Sequence, residues 1–166
     1  MTARSSMVAV AVSLGLALLS ACAPRGVSGV APLTAAEHAA IGDVIRRRYR
    51  ELSELLRSRN GCDEIGSYIG AQHGSVATQG RVIDVPGSTE AVTMCRTLKG
   101  DRVAAREFIN DERVEVLGRD AAMLITQSLY AEDFRDGSTV VREKVVTTVW
   151  VRSDSTWRHI HLHESW

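Results

Sequence analysis

The residues best able to do chemistry lie close together at the C-terminus. The segment Thr147–Trp166, TTVWVRSDSTWRHIHLHESW, carries His159, His161 and His163 at alternate positions, with Glu164 beside them. A histidine titrates near neutral pH, so His161 or His163 with Glu164 is a candidate acid–base pair. The same spacing raises metal binding. Residues two apart on a strand are about 6.6 Å apart along the chain, close enough for two imidazoles to share an ion. His159 and His163 are about twice that distance apart, so a metal needs one neighbouring pair plus a ligand such as His73 or Glu143. Histidines in such a run more often hydrogen-bond across a sheet or sit in an interface, and the reading names no metal and no cofactor. There is no Gly-x-Ser-x-Gly nucleophile motif and no phosphate-cradling glycine loop.

If Asp154-Ser155 is a two-residue turn, Trp150 sits opposite His159 and Thr148 opposite His161. Alternation then places Val141, Val145, Val149, Val151, Ile160 and Leu162 on a face fit to pack on helices. The other face carries Trp150, Arg152, Trp157, His159, His161, His163 and Ser165, a mixture suited to a wet pocket or a partner interface. Both tryptophans read first as packing residues.

The elements that must position this hairpin follow from pattern. Thr34 and Glu37 have capping-box spacing. Ile41, Val44, Ile45, Tyr49, Leu52, Leu55 and Leu56 recur at helical spacing until Asn60-Gly61, where glycine suits a left-handed cap. The polar side of that helix carries Arg46, Arg47, Arg48 and Arg50, with Glu51 and Glu54 placed for local pairing. Asp63 to Gly70 reads as a short second helix, with Ile65, Tyr68 and Ile69 as its apolar contacts. Ser75 to Val85 reads as one or two short strands around Gly80. Pro86-Gly87 turns the chain into a third helix capped by Ser88 and running to about Leu98. Strands follow at Arg106 to Leu117, Ala121 to Tyr130, Val140 to Arg152 and Trp157 to Trp166. Helices first and antiparallel strands afterwards indicate an α+β domain.

The N-terminus carries a separate message. Arg4 precedes the apolar run Met7 to Leu19, which has the length of a secretory h-region and is short for a bilayer span. It ends in Leu19-Ser20-Ala21-Cys22, which resembles the bacterial lipobox. That resemblance implies cleavage before Cys22 and a diacylglycerol on its sulfur. Residues 1–21 are then a signal peptide, 22–33 the lipidated cysteine and a flexible tether, and 34–166 the domain. The expected location is a bacterial cell envelope, with the domain outside the cytoplasm and periplasmic if the cell is Gram-negative. In such a compartment Cys62 and Cys95 either pair or stay as buried thiols. The formal net charge is zero, which does not favour nucleic acid as a partner.

Val149-Trp150, Asp154, Trp157-Arg158-x-Ile160-His161-x-His163-x-Ser165 resembles the ending of SnoaL-like and DUF4440-type members of the NTF2-like superfamily. It is similar also to the association domain of calcium/calmodulin-dependent kinase. Gly118-Arg119-Asp120-Ala121-Ala122 leading into a strand agrees. The resemblance, over roughly Thr34 to Trp166, implies a cone-like fold: N-terminal helices packed on a curved antiparallel sheet, a pocket at its open end, and usually a homodimer. Members of the isomerase type use a carboxylate base with a tyrosine oxyanion hole, and no such set falls on Asp63, Asp84 or Tyr49. Relatives often close the second-helix region with an aspartate motif, where this chain reads Gln72-His73-Gly74. Positions that are arginine in the kinase domain's anion pocket are Ser128, Thr148 and Glu164 here, which takes support from an acidic ligand. Alternation puts Thr148 and Glu164 on opposite faces unless a β-bulge intervenes.

The candidate ligand-binding residues are therefore Ser128, Thr148, Trp150, His161, His163 and Glu164. The expected function is a small-molecule-binding or protein-interaction module. The alternative is an acid–base enzyme of isomerase, dehydratase or hydrolase type, and a third reading is an assembly part with a vestigial pocket.

Overall fold

Thr34 opens α1, Ala35–Arg57, with the capping box that its spacing predicts. The Glu37 amide donates to Thr34 Oγ1 (3.2 Å), and the Thr34 amide donates to Glu37 Oε2 (2.7 Å). A computed structural model describes residues 31–70, 74–78 and 80–166. The signal segment, Cys22 and most of the tether lie outside the described residues, as do Gln72 and His73. Leu33–Trp166 forms one compact unit.

The α1 stripe packs through Ile45, Tyr49 and Leu52, all buried. Its arginines reach further than local pairing predicts. Arg46 and Arg50 both meet Glu112 on the sheet, at 3.2 and 3.0 Å, while Arg48 lies 3.5 Å from Glu51. The helix ends at Ser58 in extended backbone, not in a left-handed cap. Gly61 is needed for a different reason: a Cβ there would collide with the Leu55 carbonyl.

Two 3-10 turns, Gly61–Asp63 and Ile65–Tyr68, replace the expected second helix and bury Cys62 and Ile65. Next come β1 (Gly74–Thr78) and β2 (Arg81–Val85), a hairpin with Gly80 at φ +70°. In α2, Ser88–Lys99, Gly87 and not Ser88 occupies the N-cap, with no side-chain cap bond. Cys95 of α2 is disulfide-bonded to Cys62, with Cα atoms 5.7 Å apart. Long strands complete the chain: β3 (Arg102–Gly118), β4 (Ala121–Phe134), β5 (Thr139–Ser153) and β6 (Thr156–Ser165).

The sheet order is β2-β1-β6-β5-β4-β3, antiparallel except for β1 beside β6. Asp154 and Ser155 both have positive φ (50° and 66°), as a tight two-residue turn requires. Trp150 is opposite His159 as expected. The register then slips by one residue, so that Thr148 faces Leu162 and Val149 faces His161. Ile160 is the extra residue of a bulge, and past it every β6 side chain changes face relative to simple alternation.

On β5 the predicted packing face is corrected by that strand's own alternation, which follows Trp150. Lys144, Val146, Thr148 and Trp150 of β5 point inward and are buried, while Val141 and Val145 on the opposite face are 57% and 41% exposed. The inward row can include a lysine because partners compensate it, as described next.

Candidate ligand cavity

Between the helices and the inner face of the sheet lies a cavity of about 380 Å³. Its helix side is mostly apolar, with Leu52 and Leu56 from α1, Ile65 and Ile69 from the 3-10 region and Met94 and Leu98 from α2, and carries Arg57 and Lys99 at the helix ends. The sheet side is mixed, with Tyr130, Lys144, His159 and Glu164 set among Val76, Val146 and Leu162. Such a division suits a ligand with an apolar body and a few polar groups.

Lys144 is the electrostatic centre. Its Nζ lies 3.2 Å from Glu107 Oε1, 3.6 Å from Glu164 Oε2 and 4.0 Å from the Tyr130 ring centroid. Glu107 is 1% exposed in its side chain; it also accepts from Ser128 Oγ (2.9 Å) and from Ser53 Oγ, with Arg57 at 3.5 Å. Burial pushes the Glu107 carboxyl up, but the Lys144 charge and these hydroxyl donors outweigh it and hold it below the ordinary glutamate value. Glu164 accepts from Thr78 Oγ1 at 3.0 Å and is 22% exposed in its side chain. It is a carboxyl group on the cavity wall with partial access.

A second cluster sits where β3, β4 and β5 meet. Arg102 donates to Tyr130 Oη (2.8 Å) and to Glu132 (2.9 Å), and Arg142 reaches Glu132 at 3.1 Å and stacks on Trp166. Burial pushes the Tyr130 hydroxyl up to about 12. Tyr49, hydrogen-bonded to Thr126 (3.1 Å), is also raised by burial and then by the Glu107 charge. Both phenols are neutral at physiological pH.

His159 is 6% exposed and meets Trp150 edge-on, ring centroids 5.6 Å apart. Burial, with a smaller push from His161, lowers its imidazole to about 4, so it is neutral near pH 7.

The structure separates the six sequence candidates. Glu164 lines the cavity. Ser128 is fully buried and acts on Glu107. Thr148 and Trp150 are fully buried core residues, bonded to each other through Trp150 Nε1 and Thr148 Oγ1 at 2.8 Å. His161 and His163 are turned to the outer face by the bulge, where His161 Nδ1 pairs with Ser75 Oγ (2.7 Å) and His163 is exposed. The proposed pairing of either histidine with Glu164 across one pocket is thus not formed. Among the described residues no group of three His, Cys, Asp or Glu is placed to hold a metal.

Sequence reasoning missed Glu107, Lys144, Tyr130 and Arg102. One signal was available: Lys144 is in phase with Thr148 and Trp150, so the face that buries Trp150 also buries the lysine.

The chain can now be compared with known proteins. It superposes on the crystal structure of a hexachlorocyclohexane dehydrochlorinase, LinA-type3 from Novosphingobium barchaimii LL02, at TM-score 0.69 and 14% identity, covering 80% of this chain and 90% of that one. A candidate dehydratase of the NTF2-like family from Streptomyces avermitilis gives TM-score 0.64 at 18% identity, over 74% of this chain and 94% of that one. The fold is NTF2-like. The association domain of C. elegans CaMKII shares it at TM-score 0.61 and 19% identity, over 80% of this chain and 100% of that domain. In sequence, residues 92–166 match the calcium/calmodulin dependent protein kinase II association domain family. Comparison with curated proteins finds no match. The NTF2-like fold accounts for a curved sheet wrapped on α1 with a cavity beneath it. Its structural relatives include proteins named as enzymes and others named as association domains, so the fold alone does not choose a function.

Proposed function

We propose that this protein is an envelope lipoprotein, anchored through Cys22, whose NTF2-like domain binds a small, largely apolar molecule carrying a few polar groups. The observation that carries the binding reading is the cavity of about 380 Å³ with a mostly apolar helix wall facing the Lys144–Glu164 side of the sheet. The Cys62–Cys95 disulfide supports an oxidising compartment. The outer sheet face supports a homodimer, since Val141, Val145 and Leu129 are exposed there beside His163.

The test is native mass spectrometry of the full chain, produced with its export signal and extracted gently in detergent. The expected result is a lipid-modified dimer carrying a reproducible small-molecule mass. A dimer that carries no added mass, and is not stabilised by any member of a library of small apolar alcohols, ketones and acids, contradicts the binding reading. An unmodified Cys22 contradicts the anchor.

A second reading has its own support. Glu164 is partly exposed in the cavity and fixed by Thr78 and Lys144, the placement a general base needs. In this reading the domain is an acid–base enzyme of the isomerase, dehydratase or hydrolase type, with Glu164 and no outer-face histidine as its base. Turnover of a library compound that disappears in Glu164→Gln, with binding retained, would select it.

A further inference from the structure

His159 is a buried polar group that the fold itself leaves without a partner. The residue is 6% exposed, and its Nδ1 is buried with no hydrogen-bond partner among the described residues. The backbone around it is well satisfied: the His159 carbonyl accepts from the Gly70 amide at 3.0 Å, and Ile69 bridges to the same residue. The side chain is therefore held in place while Nδ1 goes unpaired among the described residues. Leaving such a group unpaired is costly, so buried polar atoms nearly always find a partner. If packing alone were needed, phenylalanine would fill the space against Trp150 without that cost.

The residue also lines the cavity, at the end formed by Ile65, Ile69 and Ile160, away from the charged Arg102–Glu132–Arg142 cluster. Its neighbours there, Trp150, Ile69 and Ile160, offer no counter-ion to a charged ligand group. A neutral imidazole has one donor and one acceptor nitrogen, and a hydroxyl can meet either because it both donates and accepts. Resting on the reading of the cavity as a ligand site, we infer that His159 is its polar recognition residue and that the ligand presents an uncharged hydroxyl, as an alcohol or phenol, on an otherwise apolar body.

The experiment compares two probes of nearly equal shape, 2-naphthol and 2-methylnaphthalene, binding to the full chain. Titration calorimetry should give a preference for the naphthol of roughly tenfold or more, the size expected from one buried hydrogen bond. In His159→Phe that preference should fall to about onefold, with 2-methylnaphthalene still bound. An undiminished preference in the variant overturns the role of His159 while leaving the cavity reading intact. Binding of neither probe to the unaltered protein overturns both. A second measurement does not depend on the variant folding: the ¹⁵N resonances of the His159 ring in the unaltered protein should move with 2-naphthol and stay within a small fraction of that shift with 2-methylnaphthalene. Equal shifts with both probes would refute the hydrogen bond.

Discussion

Replacing Lys144 by methionine tests whether the inner face of the sheet is organised around one charge. The substitution keeps most of the apolar stem and deletes the ammonium that lies 3.2 Å from Glu107 and 3.6 Å from Glu164. Glu107 is the group that suffers, because its side chain is 1% exposed and cannot turn to water. Removing one partner of a buried pair costs roughly 3–5 kcal/mol. Arg57 at 3.5 Å and the Ser53 and Ser128 hydroxyls stay, which places the loss near the lower end, about 3 kcal/mol. For a domain of this size that lowers Tm by about 10 °C at pH 7. The pH dependence follows in sign. The folded Glu107 carboxyl is held below its ordinary value, so its contribution is full above that ordinary value and is lost as pH falls through the lower folded one. Without Lys144, burial favours the protonated acid, and the gap between variant and unaltered protein should narrow as pH approaches 4. Adding Glu107→Gln should restore at least half of the loss, because no stranded carboxylate is left. Thermal unfolding followed by circular dichroism reads all three. A Tm within about 3 °C of the unaltered protein, or a double variant as unstable as the sum of the single ones, would refute the argument.

Three further outcomes are expected. The Cys62–Cys95 bridge closes a separation of 33 residues, so replacing both by alanine should cost about 4 kcal/mol in urea unfolding under oxidising conditions, and nothing measurable once both proteins are reduced. All three tyrosines are shifted upward, by burial first, so absorbance titration of the folded protein should show no phenol ionising with a midpoint near 10. Any stability they contribute is present below 10 and lost as pH rises through the folded values. His159 works in the opposite direction. With its pKa depressed from 6.5 to about 4, its contribution is complete above 6.5 and is lost as pH falls to 4. Unfolding titrations should show about 3 kcal/mol less acid loss across that window in His159→Phe than in the unaltered protein.

Much of this architecture is legible in the chain. The capping box at Thr34 and Glu37 and the spacing of Ile45, Tyr49 and Leu52 place α1 and its buried face, since both signals act within a few turns of one helix. The Asp154-Ser155 turn is legible too, because a two-residue connection between alternating segments has few backbone solutions. The charge cluster was harder. Glu107 and Lys144 come from strands separated by β4, and each alone looks like a residue for the solvent face. Only their mutual compensation makes both burials tolerable, and pairing across a sheet is not written in local periodicity. The cavity is harder still, being a product of sheet curvature and of the distance that α1 and α2 keep from it.

The bulge at Ile160 decides what the last strand does. Without it, alternation from Trp157 and His159 would carry His161 and His163 inward and turn Leu162 and Glu164 out. With one residue absorbed, His159 before the bulge and Leu162 and Glu164 after it all line the cavity. The same slip sends His161 and His163 to the outer face, where the exposed valines lie. One strand therefore gives the cavity an imidazole that burial keeps neutral near pH 7 and, further along, a carboxylate held by Thr78 and Lys144. A pattern of alternate histidines suggested a single polar face. The extra residue divides it into two, one suited to a ligand and the other to a second protein surface.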